Sequence, residues 1–282
     1  MSDSFQEKIP SKLVLKTNEV HVWLAFPDCC REPDLVATYL GWLDEQERTR
    51  YNKFKFPQHS HCYLVAHALL RNCLSLYKSV HPADLKFSKN KYGKPDLLEP
   101  GCSLPLRFSL SHTEGIVTCA VAWRRDIGID AEFVQRKANI WSIAEISFTS
   151  EELAGLKRCA PAVQSHCFFQ HWTLKEAYAK ARGMGLYLPF DKLAFHLNPE
   201  SENAINFTLP AGSEEACALE SWRFALMGTA SQHCIALAAN SPEPLTASVM
   251  RSVPGMGYEA MFPPMLLSTG IEFHSQDGGG HD

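Results

Sequence analysis

The chain sets out the same series of elements twice, and that recurrence constrains its fold more than any single stretch does. A helix starting at Pro57 and running over 57–77 carries Tyr63, Leu64, Leu70 and Leu74 at helical spacing. Turn residues follow at 89–95, then alternating strands at 107–111, 116–123 and 127–132. The order then repeats. Thr149-Ser150-Glu151-Glu152 caps a helical region, a long helix spans 163–182 and stops at Gly183, and strands follow at 193–197, 222–227 and 234–238. Residue identities echo the order, Arg107-Phe108-Ser109-Leu110 against Arg223-Phe224-Ala225-Leu226, each run followed by a turn and a strand rich in Cys, Ala, Val and Ile. The expected fold is α+β, two similar lobes related by a pseudo-two-fold axis with a cleft between them. The expected boundaries are 1–125 for the N-terminal lobe and 126–240 for the C-terminal lobe. Ahead of the first helix, 12–16 and 20–26 read as a strand pair and 44–54 as helical. The remainder, 241–282, is rich in Pro and Gly, shows no period, and reads as a partly disordered extension whose Met261, Phe262, Met265 and Leu266 could clip onto the body.

At 282 residues and 45% hydrophobic content there is room for two lobes with real cores, and fibrous or disordered classes are excluded. The 27 basic and 31 acidic side chains leave a net charge of −4, against a dedicated nucleic-acid binder, so a bound polyanion must meet a local basic cluster. No run approaches the length needed to span a bilayer, and the first residues lack a secretion pattern, so a cytoplasmic protein is expected, with no membrane partner. The 10 cysteines are scattered, without CxxC spacing, and Cys29-Cys30 form one adjacent pair. They read as reduced and structural, without a zinc site.

Several polar groups could carry chemistry. In the strand 127–132, Ile127, Ile129 and Ala131 take one face, so Asp130 and Glu132 share the other, about 6 to 7 Å apart at the backbone. Their oxygens could converge on a hard cation such as Mg²⁺, although for this pair alone a solvated strand face is the better explanation. Glu176 falls on the apolar stripe that runs through Phe168, Trp172, Ala179 and Gly183, and a buried carboxylate needs a partner or takes up a proton. Lys180 stands one turn on and Lys175 beside it; the bland alternative is a surface Glu–Lys pair. The turn Lys89-Asn90-Lys91-Tyr92-Gly93-Lys94-Pro95 sets three lysines around exposed amides, which suits a phosphate and also suits an ordinary loop. In Ser109-Leu110-Ser111-His112 the alternation points Leu110 inward and both serines outward, with His112 at the tip. Arg48, Arg50 and Lys53 form a small basic cluster, and there is no GxSxG elbow for a serine hydrolase. Taken together around a cleft, these groups suggest Mg²⁺-assisted transfer at a phosphate or pyrophosphate.

Gly128-Ile129-Asp130-Ala131-Glu132, with Trp172-Thr173-Leu174-Lys175-Glu176-Ala177-Tyr178-Ala179-Lys180 and Gly183-Met184-Gly185-Leu186 downstream, resembles the paired signature of the 4'-phosphopantetheinyl transferases. The resemblance takes in Tyr92-Gly93-Lys94-Pro95, the Phe108–His112 strand and the Arg50 region, so it covers residues 45–240, and the length is similar to the larger, pseudo-dimeric Sfp-type class. It implies transfer of the phosphopantetheine arm of coenzyme A to a serine of an apo acyl or peptidyl carrier protein, with release of adenosine 3',5'-bisphosphate. It further implies Mg²⁺ on Asp130, Glu132 and Glu176, with Glu176 accepting the serine proton and Lys180 stabilising the departing phosphate. Coenzyme A would be bound by Arg50, Lys89, Lys91, Gly93, Lys94, Ser109, Ser111, His112, Asp130 and Lys180, with His112 facing the 3'-phosphate. A basic position of relatives falls on Glu47 here, and the tail after residue 240 has no counterpart. A monomer is expected, since the internal repeat builds the cleft without a second copy. A Mg²⁺-dependent pyrophosphate hydrolase and a non-catalytic coenzyme A or carrier-protein binding module remain as rival readings.

Overall fold

The computed structural model describes residues 13–99, 102, 105–201, 204–210 and 221–274. Strand β1 (Glu19–Ala25) is followed by helices α1 (Pro33–Trp42), α2 (Glu45–Tyr51) and α3 (Pro57–Lys78), the hairpin β2 (Phe87–Lys89) and β3 (Pro95–Leu97), then β4 (Leu106–Thr113) and β5 (Ile116–Trp123). The second series runs β6 (Ile127–Phe133), α4 (Ile140–Ser147), α5 (Ser150–Arg158), α6 (Gln164–Arg182), β7 (Ala194–Leu197), β8 (Ile205–Thr208), β9 (Trp222–Gly228) and β10 (His233–Asn240). Four further strands follow: β11 (Leu245–Val253), β12 (Gly257–Ala260), β13 (Met265–Thr269) and β14 (Ile271–Phe273).

Within each series one strand, one long helix, a short hairpin and two more strands recur. The sheet neighbours recur with them, β1-β5-β4 in one sheet and β6-β10-β9 in the other, all antiparallel. The two sheets stack, and alternation sorts their side chains. Val20, Val22, Leu24, Ile116, Ala120, Ile127, Ile129, Ile235, Leu237 and Ala239 fill the space between the sheets. Trp23, Val117, Cys119 and Val121 face outward onto α3, whereas Cys234, Ala236, Ala238 and Phe224 face outward onto α6. The order of layers is therefore helix, sheet, sheet, helix.

Local chemistry accounts for the element ends. Pro57 sits in the first turn of α3, and the helix stops at Ser79 in a left-handed conformation. Asp44 and Thr149 each close a capping box, with Glu47 and Glu152 respectively. Gly183, at φ 66°, ends α6. A buried ion pair then fixes the helices of the second series to one another. Lys175 Nζ lies 2.7 Å from Glu152 Oε2 and donates to the carbonyls of Ser147, Phe190 and Leu193. Lys175 is thus a structural cation and not part of the cleft.

Three expectations need correction. Residues 13–16 form no strand, and Lys12 lies outside the described residues. The Leu13 amide donates to the Leu76 carbonyl, and the Trp123 indole donates to the Leu15 carbonyl, so the segment is held by the end of α3 and the end of β5. The helical stretch expected over 44–54 ends at Tyr51. The tail is the largest departure: β11 lies parallel beside β1 and continues that sheet, and β13 pairs with β9 in the other. Leu245, Ala247 and Val249 point between the sheets in strict alternation with Thr246 and Ser248, a period hidden in the sequence by the prolines around it. Residues 275–282 lie outside the described part. No described helix is long and apolar enough to cross a membrane.

Candidate active site

The site is built where β6 meets α6, and a glycine sets how closely they approach. A Cβ added to Gly128 would lie 1.9 Å from the Ala177 carbonyl oxygen. Only glycine lets α6 come this near the strand. The face of β6 opposite Ile127, Ile129 and Ala131 therefore looks onto α6, bringing Asp130 and Glu132 to the helix that carries Glu176 and Lys180.

Lys180 Nζ lies 2.6 Å from Asp130 Oδ1 and donates to Ser111 Oγ at 2.7 Å, and the Ser111 hydroxyl donates to the same Asp130 oxygen at 2.8 Å. The other Asp130 oxygen, Oδ2, is buried without a hydrogen-bond partner. Glu132 Oε1 accepts from the Trp172 indole at 2.9 Å and from Arg136 at 3.2 Å. The Glu176 carboxylate forms no hydrogen bond or ion pair among the described residues. Burial first, and then the charge of Asp130, pushes both Glu132 and Glu176 up to about 7, although Lys180 acts in the opposite direction on each. Three carboxylates thus meet two cations, Lys180 at Asp130 and Arg136 at Glu132, and the cluster is short of positive charge.

Lys180 also forms part of the wall of a cleft of about 590 Å³ that opens beside this cluster. From the first lobe Arg50, Lys89, Gly93, Lys94, Ser109 and His112 line it, and from the second Lys180, Gly183 and Gly185. Several residues singled out in the sequence are spent differently. Ser109 and Ser111, expected to point outward, are buried: Ser109 Oγ accepts from the Ile129 amide and Ser111 Oγ from the Ala131 amide. The alternation itself holds, with both serines on one face and Leu110 on the other; what differs is that β6 of the other lobe covers the serine face. Leu110, expected to point inward, packs against the core on the α3 side and is half-buried where it lines the cleft. Lys91 lies off the cleft, its Nζ 4.8 Å from the Tyr92 ring centre. Lys94 Nζ donates to the carbonyls of Ile127 and Ala181, and burial draws its amine down to about 8. With Asn90 Nδ2 donating to the Gly183 carbonyl, this ties the 89–95 turn to the second lobe.

Glu47 closes the back of the cleft. It accepts from His67 Nδ1 at 2.8 Å and from Arg71 Nε at 2.9 Å, and Arg71 is fully buried. Tyr63, read in the sequence only as part of the apolar face of its helix, and His67, not singled out there, also line the cleft. The available signal was their spacing, since Tyr63, His67 and Arg71 recur every four residues on one side of α3. Among the described residues, no group of three or more His, Cys, Asp and Glu side chains is placed to hold a metal ion as it stands.

Comparison with known proteins agrees with the two-series architecture. The family model described as the 4'-phosphopantetheinyl transferase superfamily matches residues 126–238, and the one described as 4'-phosphopantetheinyl transferase, N-terminal, matches residues 32–124. The 4'-phosphopantetheinyl transferase HetI of Nostoc sp. strain PCC 7120 is 35% identical over 207 residues, 72% of this chain and 84% of its own. The 4'-phosphopantetheinyl transferase Sfp of Bacillus subtilis strain 168 is 28% identical over 168 residues, 59% of this chain and 72% of its own. A solved holo-(acyl-carrier-protein) synthase from Bacillus anthracis, in complex with CoA, superposes with a TM-score of 0.33 at 17% identity, over 41% of this chain and 95% of its own. The chain belongs to the 4'-phosphopantetheinyl transferase superfamily, in the larger Sfp-type class that carries both lobes on one polypeptide.

Proposed function

We propose that this protein transfers the 4'-phosphopantetheine group of coenzyme A to a serine hydroxyl of an apo acyl or peptidyl carrier protein, releasing adenosine 3',5'-bisphosphate. The observation that carries this reading is the union of one cleft, lined by cations of both lobes, with a carboxylate–lysine cluster at its wall. A serine hydroxyl is a poor nucleophile at neutral pH, so the site needs a base for its proton and positive charge for the leaving group. Glu176 is the base, because among the described residues no donor engages its carboxylate and its oxygens stay open to an incoming hydroxyl. Lys180 stands between the cluster and the cleft, where it stabilises the departing phosphate. Arg50, Lys89 and His112 receive the phosphates of coenzyme A, and His112 faces the 3'-phosphate. Ser109, Ser111 and Lys94 act at one remove by holding β4, β6 and the 89–95 turn in place.

A divalent cation fits the donor set. Asp130 Oδ2 is a buried oxygen without a partner, and hard carboxylate oxygens are what Mg²⁺ takes. Asp130, Glu132 and Glu176 would hold it, and bound there it supplies charge to the pyrophosphate. We further assign a cytoplasmic location, a monomer, and a lobe boundary at 125/126, which falls between the end of β5 and the start of β6.

The test is intact-protein mass spectrometry of an apo carrier incubated with this protein, coenzyme A and Mg²⁺, with an EDTA control. The carrier should gain one phosphopantetheine arm, and EDTA should abolish the gain. Consumption of coenzyme A without any mass gain would replace the transferase with a hydrolase. Glu176→Ala should lower the transfer rate at least ~10²-fold with an unchanged unfolding midpoint, and near-normal turnover would remove Glu176 from the mechanism.

A further inference from the structure

Away from the cleft, the second lobe carries a close pair of thiols. Cys159 caps the end of α5, and Cys167 lies near the start of α6. Their sulfurs are 3.1 Å apart, about 1 Å beyond the length of a disulfide bond. Neither thiol is sealed in the core: both are half-buried and line an open cavity of about 510 Å³ together with His171 and His196. A second pair, Cys73 and Cys119, has sulfurs 3.6 Å apart but lies fully buried between α3 and β5. One pair is therefore within reach of a small oxidant and the other is not.

We propose that Cys159 and Cys167 form a reversible dithiol–disulfide site that ties the end of α5 to the start of α6 under oxidising conditions. The oxidant is a small-molecule disulfide. The thiolate of one cysteine attacks it, forming a mixed disulfide and expelling one thiolate. The second cysteine then loses its proton and attacks the bound sulfur, expelling the other. Two protein thiols and one disulfide thus become one protein disulfide and two small thiols, with protons and electrons balanced. Burial, with the hydrogen bond and charge of Cys159 added, pushes the Cys167 thiol up to about 11, so exchange is slow at neutral pH and quickens as pH rises. The bond would leave the cleft intact, because the Lys175–Glu152 pair already fixes α5 to α6 between this site and Glu176. The proposal rests on the fold alone and stands whether or not the transferase reading does.

Oxidised glutathione is the probe, applied to the whole native chain, followed by alkylation with iodoacetamide and tryptic mapping. The peptide 159–175 holds both cysteines and should appear two hydrogens lighter and unalkylated, while Cys73 and Cys119 stay reduced until the protein is denatured. Cys167→Ser should leave glutathione trapped on Cys159, since the resolving thiol is gone. Oxidation should raise the unfolding midpoint of the native chain by about 5 °C, reversibly with dithiothreitol. Alkylation of both cysteines in the oxidised chain, a retained glutathione on either, an unmodified Cys159 in Cys167→Ser, or a midpoint that does not rise would each overturn the proposal.

Discussion

Glu47 and Glu176 are both withdrawn from bulk water, and their neighbours give them opposite chemistry. Burial raises both. At Glu47 the hydrogen bond and charge of His67, the Asp44 amide and the Arg71 guanidinium outweigh burial and hold the carboxyl at about 2. At Glu176 the nearby charge is largely that of Asp130, of the same sign, and the group rises to about 7. The first arrangement is a stability device. A folded value of about 2 against an ordinary 4.5 means that Glu47 contributes stability above pH 4.5, lost as pH falls from there to 2. The contribution is about 3 kcal/mol. Glu47→Gln should be less stable by about that amount at pH 7, and its stability should fall less than the parent's between pH 4.5 and pH 2. Urea unfolding of both proteins across that range measures this, and parallel curves would show that Glu47 carries no such role. A side chain's type is plain in sequence, but its company is not: Arg71 and His67 reach Glu47 from another helix, and no local spacing announces that contact.

At the scale of elements, the recurrence of a long helix followed by strands was legible because alternation and helical spacing are local properties, whereas the short hairpins β2–β3 and β7–β8, and the place of β6 at the head of the second series, were not. The strand holding Asp130 and Glu132 and the helix holding Glu176 and Lys180 could each be read separately. How close they come could not, since that depends on the missing side chain at Gly128. Gly128→Ala would press a methyl against the Ala177 carbonyl, where the contact is backbone and cannot swing away. The cost should be about 2 to 3 kcal/mol, seen as a lower denaturant midpoint with the slope unchanged, together with loss of transfer as Asp130 moves from Lys180. A variant of normal stability and turnover would mean that the two elements do not need this approach. Ser109 and Ser111 illustrate the same limit, because a strand's exposed face is defined only once its neighbours are known.

For the molecule as a whole, the tail was the least legible part. Pro242, Pro244, Pro254 and the glycines at 255 and 257 look like an untethered extension, yet β11 between them is an inner strand of the first sheet. Truncation after residue 244 would strip β1 of its parallel partner and uncover Val20, Val22 and Leu24 beside a bare strand edge. The shortened chain should aggregate on expression, and a soluble monomer with the parent's unfolding midpoint, by sedimentation and thermal melting, would show the tail to be dispensable. Sequence alone determined the period of most elements, their order, the doubling of that order and the chemical types gathered in the motifs, because these depend on neighbours along the chain. Tertiary structure decided which face of β4 was covered, that Lys175 was structural while Lys180 reached the cleft, and that the tail completed a sheet. Those outcomes depend on how two sheets stack and how near a helix can approach a strand. Packing between distant segments sets both, and the local pattern of residues does not encode it.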